Sequence, residues 1–88
     1  MKPGEAARQA VELVEGERHD EYGDAGLEFK RVSRMFAELT GITISPLNVA
    51  LFMVCLKLVR ESNNNKLDNI VDAIGYLSLM AQIKEEDP

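Results

Sequence analysis

The sequence predicts an all-α fold: a single domain of four helices, arranged like a bundle. Three observations lead there. Apolar residues recur at three- and four-residue spacing in four separate stretches. Between the stretches stand helix caps and breakers, namely Gly16, Asp24, Gly41, Ser45-Pro46 and Ser62-Asn-Asn-Asn65. Only Ile42-Thr-Ile44 has the β-branched character of a strand, and no second segment is there to pair with it, so it reads as an extended linker. A chain of 88 residues makes one domain with a thin core.

The first helix is expected over about 4–16, with Ala7, Ala10, Val11 and Val14 on its inner stripe, Glu5, Arg8, Glu12 and Glu15 outside, and Gly16 as its stop. The polar run Glu17 to Asp24 reads as a loop, and Asp24 can cap a second helix over 25–40. That helix should turn Leu27, Val32, Met35, Phe36 and Leu39 inward, and Phe29 and Phe36 are most simply core. Ser45 as N-cap and Pro46 at the first helical position open a third helix over 46–61. Its middle is apolar on every face, so it must be surrounded, and Cys55 within it reads as a small buried hydrophobe. A fourth helix over 66–84 presents Leu67, Ile70, Val71, Ile74, Leu77 and Ile83, widened by Leu79 and Met80; residues 85–88 form a frayed acidic tail.

Three short neighbours can hardly cover a helix that is apolar all round. A homodimer or homotetramer, with a two-fold axis along the third and fourth helices, is the natural completion; a compact monomeric bundle is the alternative.

Composition narrows the functions. With 45% hydrophobic and 28% charged residues the chain should fold, not remain disordered. A net charge of −5 argues against sequence-independent nucleic-acid binding and against anionic membrane surfaces. The longest apolar run, Val49 to Leu56, is too short to span a bilayer. One cysteine allows no internal disulfide, and Met1-Lys2-Pro-Gly-Glu lacks an apolar signal region, so a cytoplasmic protein is expected.

The stretch from Lys57 to Tyr76 holds most of the chemistry. Lys57 and Arg60 end the third helix, while Asp68 and Asp72 open the fourth at i, i+4 spacing, with Asn69 beside them and Tyr76 one turn on. An antiparallel hairpin brings the two cations near the two carboxylates. That arrangement suits a salt-bridge network, with acids at a helix N-terminus and bases at a C-terminus. It also suits a metal–phosphate site, in which Asp68 and Asp72 hold Mg2+ while Lys57 and Arg60 hold phosphate oxygens. A phosphate site should leave the cations facing a cavity, whereas a structural network should pair them with aspartates. In the first loop, His19 can hydrogen-bond a ligand or stand exposed, and Tyr22-Gly23 can aim the tyrosine ring at a base or pack it under the loop. A lone histidine makes zinc improbable. There is no Gly-rich phosphate loop and no nucleophilic triad, so any hydrolysis would be metal-assisted.

Taken in order, Arg18-His-Asp-Glu-Tyr22-Gly-Asp24, Phe29, Ile44-Ser-Pro-Leu-Asn-Val-Ala50, Leu56-Lys57-Leu-Val-Arg60 and Asp68-Asn-Ile-Val-Asp72-Ala-Ile-Gly-Tyr76 resemble a family of small proteins of unknown function encoded mainly by bacteriophages and prophages. The resemblance covers roughly residues 8–83. More distantly, it extends to the MazG-like all-α nucleoside triphosphate pyrophosphohydrolases, helical dimers or tetramers that bind magnesium through carboxylates on two antiparallel helices. It implies catalytic roles for Asp68 and Asp72, Mg2+ as cofactor held by these two with Glu61, and a nucleotide or other phosphorylated small molecule as ligand of Lys57, Arg60, Tyr22, His19, Asn69 and Tyr76. The sequence departs from the enzyme pattern in two places. Asn69 stands where the second metal-binding helix carries a glutamate, and Lys57-Leu-Val-Arg60 stands where the first carboxylate pair belongs. The functions left open are a nucleotide pyrophosphohydrolase, a non-catalytic nucleotide-binding protein that sequesters a signal, and an interaction module whose charges are ion pairs.

Overall fold

Local chemistry sets the helix ends. The computed structural model describes residues 1–16 and 24–86, and the regular structure among them is four helices: α1 Pro3–Glu15, α2 Ala25–Thr40, α3 Pro46–Asn63 and α4 Leu67–Glu86. Asp24 caps α2 through Oδ1, which accepts the Gly26 N–H at 2.7 Å and the Leu27 N–H at 3.4 Å. Ser45 caps α3, its Oγ accepting the Asn48 N–H at 3.0 Å, with Pro46 at the first position as expected. α2 ends at Gly41, whose φ of 72° lies in the left-handed region that a side chain disfavours. Residues 42–45 are extended, and the Ser33 hydroxyl donates to the Ile44 carbonyl, tying this linker to α2.

Two helices run further than expected. α3 continues through Ser62 and Asn63, where the Ser62 hydroxyl donates back to the Val59 carbonyl at 2.7 Å. α4 continues to Glu86, so residues 85 and 86 belong to the helix and not to a frayed tail.

The α3–α4 hairpin is the most extensively packed pair; α1 lies on α4, and α2 lies mainly on α3. The core is correspondingly split. Phe29, Val49, Ala50, Leu79 and Ile83 form the larger cluster, with Ile44, Leu47, Met53, Tyr76 and Met80 against it. Ala6, Ala10 and Val71 form a second, flanked by Leu13 and Ile74. α1 comes in close because Gly75 leaves room: a Cβ placed there would stand 3.2 Å from Val14 Cγ1. The Cα radius of gyration, 13.7 Å, exceeds the ~12 Å of a compact chain of this length, consistent with helices that do not all share one core.

The inward faces differ from expectation on all four helices. On α1, Ala6 and Ala10 are buried while Ala7 and Val11 are exposed, because small residues face the close contact with α4. On α2, all five residues expected inward are exposed, from Phe36 at 39% to Leu39 at 78%. The helix docks instead through Phe29 and Ser33, because the hydroxyl tie to Ile44 turns that face toward the linker and α3. On α3, only Val49, Ala50 and Val54 are buried; Leu51, Phe52, Leu58 and Val59 are exposed, and Cys55, expected in the core, is exposed on the same side. Leu67 and Leu77 of α4 are exposed as well.

Candidate functional site

The hairpin brings one of the two cations, Lys57, onto one of the two aspartates, Asp72. α3 delivers Lys57 and Arg60 in its last turns, and α4 delivers Asp68, Asp72 and Tyr76 along one line at four-residue steps. That line runs from solvent into the core. Asp68 is exposed, Asp72 is mostly covered, and Tyr76 packs on Phe29 with ring centroids 6.1 Å apart at a tilt of 40°.

Lys57 Nζ lies 2.8 Å from Asp72 Oδ2, with only 15% and 19% of the two side chains exposed. It is the one ion pair among the described residues. Its position at the rim of the core shields it from salt, and removing either partner would leave the other charge covered and unpaired. Arg60, one turn further, is exposed and pairs with no described carboxylate.

Glu61 and Asn69 close the turn. Glu61 Oε1 accepts the Lys66 N–H at 2.9 Å and the Asn69 side-chain amide at 3.4 Å, and the same Nδ2 donates to the Asn64 carbonyl at 3.3 Å. Asn69 is the buried polar residue of this region, and no buried side-chain donor or acceptor among the described residues lacks a partner. The acceptor role of Glu61 had no signal in the sequence, since it depends on how the chain turns between the helices. An aspartate or glutamate at residue 69 could not donate these bonds.

The donor set bears on a metal. Among the described residues, no group of three or more His, Cys, Asp or Glu side chains gathers so as to hold an ion, so Glu61, Asp68 and Asp72 do not form one. One oxygen of Asp72 is engaged by an ammonium and one of Glu61 by two N–H groups. Mg2+ takes near-octahedral oxygen ligands, commonly one or two carboxylates completed by water and phosphate, and an ion here would compete with Lys57 for Asp72. His19 and Tyr22 lie outside the described residues. A groove between α1 and α4, lined by Val14, Glu15, Ser78, Leu79 and Gln82, includes none of the hairpin charges. No described helix is long and apolar enough to cross a membrane.

Comparison with known proteins gives relatives of phage origin. The chain is 31% identical over 77 residues to the Gene 55 protein of Mycobacterium phage L5, a match covering 85% of this chain and 49% of that protein. It is 30% identical over 79 residues to the Gene 55 protein of Mycobacterium phage D29, covering 89% of this chain and 52% of that protein. The chain thus spans about half the length of these curated relatives. No solved structure matches. Residues 5–84 match a family described as a domain of unknown function, DUF6378, and the chain belongs to that family.

Proposed function

We propose that this protein is a helical interaction module, acting in the cytoplasm of a phage-infected bacterium, whose charged hairpin holds the register of α3 against α4. The observation that carries this reading is the 2.8 Å pairing of Lys57 with Asp72, both largely withdrawn from solvent. A cation kept for a phosphate should face open space; this one has an internal partner. Glu61 and Asn69 support the same reading, because their polar atoms bind the turn of the hairpin. Such a pair disfavours slipped packings, in which either charge would be left covered and alone.

A second reading keeps a nucleotide as ligand, either for a MazG-like pyrophosphohydrolase or degenerate relative using Mg2+, or for a protein that binds and sequesters the nucleotide. Its support is the exposure of Arg60 and Asp68 at the same end of the hairpin as Lys57. An arriving phosphate could take Lys57 from Asp72 and recruit the guanidinium of Arg60.

Incubation with a panel of ribo- and deoxyribonucleoside triphosphates and Mg2+ or Mn2+, followed for pyrophosphate, separates the readings. A thermal-shift screen with mono-, tri- and cyclic nucleotides accompanies it. The module reading expects neither turnover nor a shift in melting temperature. Pyrophosphate release that is abolished by Asp72→Ala, or a nucleotide-dependent rise in melting temperature that is lost in Arg60→Ala, would establish the second reading instead.

A further inference from the structure

The outward face of α3 carries a pattern that the charged hairpin does not use. Leu51, Phe52, Cys55, Leu58 and Val59 are exposed in one stripe, and the stripe ends in Asn48 on one side and Ser62 on the other. Counted from Cys55, these residues stand three, four and seven positions away in both directions. The pattern therefore reads the same along the helix either way. No charged residue lies on it. It is on the opposite side of α3 from Ala50, Val54 and Lys57, which face the fold.

We propose that α3 pairs antiparallel with α3 of a second copy of this chain, with Cys55 on the two-fold axis. Leu51 then meets Val59 of the partner subunit, Phe52 meets the partner's Leu58, and Asn48 meets the partner's Ser62. Each contact occurs twice, as an isologous interface requires. With Cys55, the middle of the stripe, on the axis, all seven positions overlap, and a stripe without charge meets its own copy without burying like charges.

Area and charge agree with this occupant. Leu51, Phe52, Leu58 and Val59 are 43–65% exposed, and with Cys55, Asn48 and Ser62 the stripe offers roughly 600 Å2 per copy, so complete pairing would bury at most about 1,200 Å2, the lower edge of specific interfaces. Its apolar part, without Asn48 and Ser62, falls among the largest patches found on monomers, which are often functional. The antiparallel sense opposes the two helix dipoles and sets the Arg60 residues of the two copies about 15 Å apart along the axis, whereas a parallel pair would stand them level. The inference does not depend on either reading of the hairpin charges, which lie on the other side of the helix.

Sedimentation of the reduced 88-residue chain should give about 20 kDa, twice its own 9.8 kDa, as a two-fold dimer requires. Phe52→Glu should halve the mass with its helical circular dichroism unchanged. Mild oxidation with diamide should link wild-type chains through Cys55 at a rate independent of dilution above the dissociation constant. The direction of pairing is read in a Cys55→Ser background. Chains carrying Asn48→Cys and chains carrying Ser62→Cys should crosslink when mixed, and neither should crosslink alone. A wild-type mass of 9.8 kDa at several hundred micromolar would overturn the proposal and leave the stripe to a different protein. Disulfides between two copies of the Asn48→Cys chain would overturn the antiparallel arrangement.

Discussion

The two faces of α3 reverse the usual expectation. The face against α4 carries Ala50, fully buried, then Val54, then the charged Lys57 at its rim. The face away from α4 carries Leu51, Phe52, Leu58 and Val59, with Phe52 at 65% exposure. Large apolar side chains, an aromatic ring among them, are thus left on the uncovered side. Within one chain, burial followed fit: small side chains let two helices approach closely, and dispersion contacts fall off steeply with any gap. Hydrophobicity alone does not say which side of such a helix faces its own fold. What it does say is that both sides want a partner, and one chain of this size supplies only one.

That contrast can be broken most sharply by placing the same charge on each side. Val54→Glu should put an unpaired carboxylate into the core and cost about 4 kcal/mol or more, enough to lose cooperative unfolding in a urea titration. Phe52→Glu, two residues away, should leave the stability of the single chain within about 1 kcal/mol. Equal losses from the two substitutions would mean that the faces are not distinct.

The charged rim of the inner face gives the next largest effect. Lys57→Met strands Asp72 in a largely covered position, and unfolding free energy should fall by about 2 kcal/mol, between the values for buried and exposed pairs. Combining it with Asp72→Leu should recover most of that loss, since the stranded charge goes with it. A double variant as unstable as the sum of its single variants would show that the two residues act independently. The smallest effect lies far from both faces. Asp24→Ala removes the acceptor for two N–H groups at the start of α2 and should cost about 1 kcal/mol, read from the shift in urea midpoint at unchanged slope.

The hairpin site was partly legible. The four-residue step from Asp68 through Asp72 to Tyr76 puts them on one line whatever the helix packs against, and the line is present. Which cation Asp72 would take was open between Lys57 and Arg60, because side chains one turn apart differ only in their depth along the hairpin. The structure pairs it with Lys57. The sequence offers Asn69 as a residue for a ligand, yet its amide is directed to Glu61 and the Asn64 carbonyl, a choice set by the path of three loop residues.

Helix number and helix starts follow from contacts within one turn, and such contacts are the same in any fold. Ser45-Pro46, Asp24 and Gly41 therefore do in the structure what their side chains or their lack of one predict. The inward direction of each helix is different in kind. It depends on a hydroxyl of α2 reaching the Ile44 carbonyl, on Gly75 admitting α1, and on Ala50 admitting α4, all of them relations between residues distant along the chain. Periodicity marks the apolar stripes of α2 and α3 but carries no record of which neighbour arrives. Phe29 is core as its sequence reading has it, but only the packed chain decided that Ala50 faces the core while Met35, Phe36 and Phe52 face out.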